Sequence, residues 1–375
     1  MSNPQTFYIV GTLDLSGIFQ PYTSGNNAVT GYKISTGQDL SGIFQPYISG
    51  NKASVTNYFV NNGNYFNLDL SDIFAPYNPN SITPIGGTVN TSGIYTIVSF
   101  LTTGSSGSIN ISSTGSNTFY YLVVGGGGPG GADFGGGGGA GGVLQGTFSI
   151  TGSDTINVTV GAGGIITYSS STQNGEDSTL SYTSTTITAK GGGYGGWSSG
   201  WGTPKNQPGN GGCGGGCGSN ITIAGTGTQG KNGGVSIIFG GGAGGGGMDT
   251  DGTNGIQYIS GNGGNGIQST QPGINLIYPS TYWGGGGGGG LGQTPSIAGN
   301  GGLGGGGGGA SSDTGGINPG TQGTGGSGLN SGQNGTATSG GNGGTNTGGG
   351  GGGGPQLNPG GNGGSGIIVI AYLTP

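Results

Sequence analysis

The sequence predicts an all-β protein: an antiparallel β-sandwich with a large polyglycine II insertion, preceded by a triple repeat of a strand and a turn. Three observations predict this architecture. Glycine makes up 108 of the 375 residues and occurs in runs that often carry a different residue at every third position. Short apolar or alternating segments flank these runs on both sides. A nine-residue motif also occurs three times near the N-terminus.

Residues 1–84 form the predicted repeat and assembly region. Each copy reads Asp-Leu-Ser-x-Ile-Phe-x-Pro-Tyr and begins at Asp14, Asp39 or Asp69, after a short apolar strand candidate. The aspartate can cap a single helical turn, and the proline ends it. One copy is too small to bury its own apolar side, so copies are expected to pack on each other or on neighbouring subunits. The residues predicted to drive this self-assembly are Phe7, Tyr8, Ile9, Val10, Ile18, Phe19, Ile43, Phe44, Ile73 and Phe74.

Residues 85–190 predict the antiparallel β-sandwich itself. Ile156, Val158 and Val160 alternate with polar residues, which is the period of a strand with one buried face. Short strands separated by polar turns at roughly 10-residue spacing are typical of a sandwich. The predicted strands are 94–101, 108–111, 118–124, 143–150, 155–160, 178–182 and 185–189.

Residues 366–375 contain a further strand, far along the chain from the others. The run Ile-Ile-Val-Ile-Ala-Tyr at 367–372 is apolar without alternation. A continuous apolar run predicts burial on both faces. This strand is therefore expected to insert centrally and to close the sandwich.

Residues 191–365 form the predicted polyglycine II tract, with its longest pure runs at 284–290 and 348–354. A threefold extended helix has no internal hydrogen bonds, so its backbone groups need partners outside the helix. Helices of glycine can pack side by side and satisfy each other, while every third residue faces outward. A flexible linker is the alternative. The hydrophobic segments on both sides favour an ordered tract within one domain.

Aromatic residues interrupt this tract. One interpretation is that they cover the open edges of the packed glycine helices. The other is that exposed aromatic side chains contact a receptor or a sugar, because they combine a large contact area with few rotamers. The candidate receptor contacts are Trp197, Trp201, Tyr282 and Trp283.

Two small groups of residues are candidates for metal or disulfide chemistry. Asp249, Asp251 and Asn254 form a weak calcium candidate with alternating oxygen ligands, and an ordinary turn is the favoured alternative. Cys213 and Cys217 lack histidine partners, so a zinc site is not expected. In an extended helix they lie too far apart for a mutual disulfide, which leaves them free or bridging other segments.

Composition excludes several functional classes. The chain has five lysines, no arginine, no histidine and 11 acidic residues, for a net charge of −6. A nucleic-acid binder would need a basic surface to neutralise phosphates. The acidic residues are scattered singly, so neither an enzyme nor a cofactor is expected. No apolar stretch reaches the roughly 18 to 20 residues of a membrane span, and no signal peptide is recognisable at the N-terminus.

Four segments carry a resemblance to a known family. The segments are FYYLVVGGGGPGG at 119–131, GGGGAGGVLQGTFSI at 136–150, TINVTVGAGG at 155–164 and GGSGIIVIAYL at 363–373. Together they resemble the glycine-rich domain of bacteriophage and giant-virus fibre and adhesin proteins, over about residues 94–373. The resemblance implies a β-framework that extends packed polyglycine II helices, with receptor specificity at the loop tips. The N-terminal triple repeat departs from that pattern.

Two functions from different classes remain. The favoured one is a non-enzymatic structural protein that self-associates into a fibre or filament, at an extracellular or virion surface, with copies of itself as partners. The triple repeat, the low charge and the missing signal peptide support it. The alternative is a receptor-binding adhesin at the tip of a viral fibre, whose partner is a host-surface receptor or glycan. The resemblance and the aromatic residues of the tract support that alternative.

Overall fold

The structure is a computed structural model that describes residues 81–104, 106–166, 173–198, 206–237, 241–292, 296–312 and 320–374. The chain divides into two compact units, Met1–Tyr77 and Asn78–Pro375. The triple repeat and all its predicted assembly residues lie outside the described residues, so the fold below is that of the second unit.

The described residues are almost entirely β-structure and glycine-rich extended chain. The one regular helix among them is the single turn α1, Ile274–Ile277. The strands are β1 Ser81–Ile85, β2 Thr88–Ser92, β3 Tyr95–Phe100, β4 Ser106–Ser112, β5 Ser116–Val124, β6 Val143–Thr151, β7 Asp154–Thr159, β8 Ser178–Tyr182, β9 Thr185–Ala189, β10 Ile267–Gln268, β11 Tyr282–Trp283 and β12 Ile367–Leu373.

Ten of the strands form two antiparallel sheets, which we call the two-sheet framework. The first sheet has the order β2-β3-β12-β5-β6, and the second has the order β1-β4-β7-β8-β9. In the first sheet, β12 lies between β3 and β5, with Val369 opposite Ser99 on one side and Leu122 on the other. The expectation of an all-β, antiparallel fold with a central C-terminal strand is therefore confirmed.

One buried cluster joins the two sheets. It takes Phe119 and Ile370 from the first sheet and Ile156 and Leu180 from the second. The rings of Phe148 and Tyr182 stack across the sheets with their centroids 3.9 Å apart. As predicted from the alternation, Ile156, Val158 and Val160 are all buried in this cluster. Period-two patterning thus places one face of each of these strands in the shared core.

The other face of β12 is covered by residues 267–283, which we call the strap. The strap pairs β10 with β11 and contains α1 between them. Its side chains Ile274 and Trp283 pack against Ile367 and Val369 in a second buried cluster. Successive side chains of a strand point to opposite faces, so β12 has to be apolar throughout.

Four strands and the strap were not predicted by the sequence pattern. β1 contains Pro84, and β2 reads Thr-Val-Asn-Thr-Ser with its residues mostly exposed, so neither shows a buried face. Both are edge strands, where proline and polar residues are tolerated. β10 and β11 have only two residues each, which is too short for a periodic signal.

The glycine-rich runs pack into an ordered arrangement that we call the glycine lattice. In the run 284–290, every third N–H group reaches the same neighbouring run, and its carbonyl groups accept bonds from three further runs. The N–H groups of the run donate to carbonyl oxygens of other runs, in the order donor–acceptor: Gly285–Gly304, Gly286–Gly264, Gly287–Gly138, Gly288–Gly307, Gly289–Gly261 and Gly290–Gly135. The carbonyl oxygens of the run accept from N–H groups of other runs, in the order acceptor–donor: Gly285–Gly350, Gly286–Gly302, Gly287–Gly245, Gly288–Gly353, Gly289–Gly299 and Gly290–Gly242. This periodicity is that of a threefold extended helix, and six neighbours satisfy its backbone.

At its most enclosed glycines the lattice leaves no room for even a Cβ atom. A Cβ atom on Gly287 would overlap the carbonyl oxygen of Gly351, and one on Gly350 would overlap that of Gly138. The clash is with backbone atoms on both occasions, so no side-chain movement can relieve it. Close approach of the backbones is what lets each amide reach a partner in the next run.

The lattice also begins earlier in the chain than predicted. Residues 125–142, between β5 and β6, leave the framework and return to it as two lattice runs. Their contacts start at Gly125 N–H to Gly142 O (2.9 Å) and reach Gly131 N–H to Gly136 O (2.8 Å). The assignment of all residues from 85 to 190 to the sandwich is thus wrong for this hairpin. Its turn marks the end of the lattice farthest from the framework, which we call the distal end.

Candidate functional site

A group of exposed apolar side chains lies at the distal end of the lattice. Its members, Ile237, Ile256, Tyr258, Ile259 and Ile297, are 41% to 49% exposed. We call this group the distal apolar patch. The neighbouring lattice residue Gly242 donates to Gly290, which in turn donates to Gly135 at the turn of the first hairpin. That register places the patch at the distal end.

Backbone hydrogen bonds hold the patch residues next to each other. Ile256 and Ile259 exchange N–H···O bonds of 2.9 and 3.1 Å, and the Ile297 N–H donates to Tyr258 O at 3.0 Å. The Ile237 N–H donates to Gly255 O at 3.3 Å. The backbones that carry these five large apolar side chains, from three separate segments, are therefore adjacent, and none of the five side chains is acidic or basic. Such a contiguous exposed patch is a mark of a binding surface.

The sides of the lattice carry a different, polar arrangement built from Asn-Gly pairs. The Asn300 Oδ1 atom accepts from the Thr324 N–H at 2.9 Å. The next residue, Gly301, donates its N–H to Thr324 O at 2.8 Å. The pair thus binds both backbone groups of one residue on the neighbouring run. We call this arrangement an Asn-Gly clamp.

The clamp has a second form where two neighbouring runs have opposite directions. The Asn334 Oδ1 atom accepts from the Gly325 N–H at 2.9 Å, and Gly335 donates to Gly323 O at 2.9 Å. In this form the N–H and the carbonyl group that the pair binds belong to two residues of the neighbouring run, two positions apart, whereas in the first form they belong to one residue. Both forms recur along the outer runs. The asparagines of Asn-Gly clamps are Asn174, Asn210, Asn232, Asn254, Asn262, Asn265, Asn300, Asn334, Asn342 and Asn362.

The clamps close the outer surface of the lattice. Asparagine at every third position projects outward, as expected for a threefold helix, but its oxygen returns to the N–H of the next run instead of facing only water. The sequence pattern alone does not reveal these bonds. It does carry a signal for them, because each of these asparagines is followed directly by glycine.

The predicted receptor contacts are divided by the structure. Trp283 is fully buried in the second cluster, where its ring meets Tyr278 edge-on with centroids 5.5 Å apart. The prediction of Trp283 as an exposed contact is therefore wrong, because β11 turns this side chain toward β12. Tyr282 and Trp197 are half-buried, and Trp201 lies outside the described residues. None of these positions belongs to the distal apolar patch.

Two of the three calcium candidate residues bind a neighbouring run: Asn254 belongs to an Asn-Gly clamp, and Asp251 takes the place of asparagine in the same arrangement. Asp251 Oδ1 accepts from the Asn232 N–H at 2.9 Å, and Asn254 Oδ1 accepts from the Val235 N–H at 3.0 Å. These two oxygens are directed at two residues of a neighbouring run. Within the described ranges, no group of three or more His, Cys, Asp or Glu side chains could hold a metal ion. The turn interpretation fits these bonds better than the calcium interpretation.

Both cysteines are free and buried in the lattice. The Cys213 thiol lies 3.6 Å from the Met248 sulfur, and the Cys217 thiol donates to Ile223 O at 3.0 Å. Burial raises the pKa of Cys213 to about 12 and that of Cys217 to about 11. Both thiols are therefore protonated at neutral pH, which makes them poor nucleophiles.

A polar groove on the second sheet has a structural role, because the carboxylate that lines it fixes a turn. Asp154 lines it and accepts hydrogen bonds from the Thr183 N–H and hydroxyl, each at 2.8 Å. Desolvation raises the pKa of Asp154, but the hydrogen bonds from Thr183 and Thr155 outweigh it and leave the pKa below its usual value. The carboxylate is thus occupied in holding the β8–β9 turn against β7.

No helix within the described part of the chain is long and apolar enough to cross a membrane. The framework and the lattice together define a glycine-rich β-protein whose runs of glycine are backbone-bonded to each other. A family model described as a glycine-rich domain matches residues 102–343. The chain belongs to this glycine-rich domain family. No curated protein matches the sequence.

Proposed function

We propose that this protein is a non-enzymatic, receptor-binding adhesin of an extracellular or virion-surface fibre, and that the distal apolar patch is its contact surface. The observation that carries the proposal is the position of the patch. The framework and the rigid lattice hold it at one end of the described unit. The resemblance to bacteriophage and giant-virus fibre and adhesin proteins agrees with display of such turns to a host surface.

The clamped sides of the lattice favour this function over growth of the lattice into a filament. A further glycine helix would need free N–H and carbonyl groups on an outer run. Side-chain oxygens already bind outer N–H groups such as those of Thr324, Gly227 and Val235. Blocking unpaired backbone in this way resembles the protection of edge strands against unwanted pairing.

The chemistry of the patch favours a protein receptor over a glycan. Four of its five side chains are isoleucine, and only Tyr258 offers an aromatic ring. Protein interfaces have an apolar, charge-depleted core. Sugar recognition depends on aromatic rings beside polar side chains. We therefore expect an uncharged, apolar site on an exposed loop of a host-surface protein.

The test is binding of the fluorescently labelled full chain to a panel of bacterial and protist cells. Cells are compared before and after protease treatment of their surface. We expect binding to at least one cell type, and loss of that binding after proteolysis. The double variant Ile256→Asn, Ile259→Asn should bind about ten-fold more weakly, because central apolar residues contribute most of the affinity of an interface.

A matched control is Ile94→Asn. Ile94 is 66% exposed, and its carbonyl oxygen accepts from the Thr374 N–H just beyond β12, at the framework end opposite the lattice. This variant should bind as the parent does. Equal binding by the double variant would overturn the proposal, and so would an equal loss in the control. Loss of binding after glycosidase treatment instead of protease treatment would replace the protein receptor with a glycan.

Self-association through the N-terminal region is the second candidate function, favoured by the apolar triple repeat. The truncated chain for this test begins at Asn78, because β1 begins at Ser81 and removing residues 1–84 would delete most of that strand. The full chain should form oligomers, whereas a chain that begins at Asn78 should stay dispersed and folded. Sedimentation and negative-stain microscopy measure both.

Replacing Phe19, Phe44 and Phe74 by serine is the length-matched control and should also disperse the protein. Oligomers of the Asn78 chain would place the contact in the framework or lattice.

A further inference from the structure

The Asn-Gly pairs of the lattice have a chemical vulnerability. The backbone nitrogen of the glycine can attack the side-chain Cγ atom of the asparagine before it. A C–N bond forms, the amide nitrogen leaves as ammonia with the proton from the glycine nitrogen, and a cyclic succinimide remains. Water then opens the ring to aspartate or isoaspartate. Asn-Gly is prone to this reaction because glycine has no side chain to hinder the attack.

The clamp hydrogen-bonds both reacting groups, the glycine N–H and the asparagine carboxamide, to a neighbouring run. The Gly301 N–H donates to Thr324 O, so the nitrogen is shielded from the base that has to remove its proton. The Asn300 Oδ1 atom accepts from the Thr324 N–H, which fixes the carboxamide toward the neighbouring run. Each of the two bonds opposes the attack on Cγ, because one occupies the attacking nitrogen and the other holds the carboxamide against the neighbouring run. The same two bonds occur at Asn262 with Gly263, which bind Asn300 at 2.8 Å each.

We propose that the Asn-Gly pairs are latent deamidation sites and that the clamps keep them unreactive while the lattice is folded. The fold thus makes the labile Asn-Gly dipeptides of the described lattice unreactive. Local opening of an outer run would expose the pair and allow an irreversible modification.

The two products would have different consequences for the lattice. Aspartate keeps the accepting oxygen, and the chain already contains such a case. Asp251 Oδ1 accepts from the Asn232 N–H, and Gly252 donates to Asn232 O at 3.0 Å. Isoaspartate adds a methylene group to the backbone, which would shift the threefold register of every later residue in the run. Protection from deamidation is therefore protection of the register.

The first experiment compares the folded full chain with the same chain in concentrated guanidinium chloride. Both are held in mildly alkaline buffer, and aspartate and isoaspartate at each Asn-Gly pair are measured by peptide mapping with mass spectrometry. We expect each clamped pair to deamidate about a hundred-fold more slowly in the folded chain, because the reaction then requires local opening. Equal rates in the two states would overturn the proposal.

The second experiment removes one of the two hydrogen bonds of a clamp. Thr324 is exposed, and its N–H has Asn300 Oδ1 as its partner. Proline fits the backbone angles of a threefold extended run and lacks this N–H, so Thr324→Pro should raise deamidation at Asn300 about ten-fold above the parent while other pairs stay unchanged. Thr324→Ala keeps the N–H and loses only the hydroxyl, which also donates to Asn300 Oδ1 at 3.0 Å; it is the matched control, and its rate at Asn300 should stay close to that of the parent. An unchanged rate at Asn300 in the proline variant would show that the bond from the Thr324 N–H to Asn300 Oδ1 does not protect the pair, and would overturn that half of the proposal. If that variant does not fold, the folded-versus-unfolded comparison still decides the proposal.

Discussion

A chain that ends at Ser365 should be insoluble. It lacks β12, which pairs with both β3 and β5 and has six of its seven residues buried. Removing it leaves two sets of strand N–H and carbonyl groups without partners in the middle of a sheet. It also opens the shared core on one face and the strap cluster on the other. Full burial of a large apolar side chain contributes about 1.5 to 3 kcal/mol, so the loss of four aliphatic residues and Tyr372 removes about 7.5 to 15 kcal/mol, which is as large as a typical total stability of about 5 to 15 kcal/mol.

The measurement is the soluble fraction on expression, followed by far-ultraviolet circular dichroism of any soluble product. A chain that ends at Tyr372 is the control, because it lacks only Leu373, which is half exposed, and the two residues after it. That control should be soluble and folded. A soluble, folded chain ending at Ser365 would show that β12 is dispensable for the framework.

The framework was predictable where a strand has one buried face or two. The strand predicted at 178–182 matches β8, and the one at 185–189 matches β9, because alternation and polar turns mark their ends. The central place of β12 follows from its unbroken apolar run. β2 was not predictable, because an exposed edge strand needs neither alternation nor apolar residues.

The lattice was predictable in its period but not in its connections. Oligoglycine with a different residue at each third position indicates a threefold helix wherever it occurs. Which run lies beside which depends on contacts between distant parts of the chain, such as Gly287 with Gly138. Every run offers the same backbone groups, so the sequence contains little that distinguishes one neighbour from another.

The candidate site shows the same limit. The distal apolar patch comes from single residues such as Ile237, Ile256 and Ile297, which are separated by tens of positions in the sequence. No local pattern connects them, and only the alternation of outward and returning runs brings their turns together. Trp283 shows the converse error. A large aromatic residue beside a glycine run suggests exposure, yet its neighbours in the strap turn it into the core.

Gly287→Ala should destabilise the protein by about 3 kcal/mol or more, the upper part of the range for overpacking a close-packed interior. The added Cβ overlaps the Gly351 carbonyl oxygen, and backbone cannot rotate away as a side chain can. To make room, the run 348–354 has to move, and its own hydrogen bonds to further runs move with it. Alanine also reduces the entropy of the unfolded chain, which favours folding by about 0.4 to 1 kcal/mol. The steric cost is larger, so the net effect is destabilising.

The matched control for this substitution is Gly115→Ala. No heavy atom lies within 4 Å of a Cβ placed on Gly115, which is outside the lattice between β4 and β5. Only the effect on the unfolded chain then remains, so Gly115→Ala should leave the free energy of unfolding unchanged or raise it by up to about 1 kcal/mol. Guanidinium denaturation followed by circular dichroism measures both variants against the parent. If Gly287→Ala were as stable as Gly115→Ala, the lattice would have to tolerate a Cβ atom at this enclosed position. The close contact of six backbones around the run 284–290 would then not be what requires glycine there.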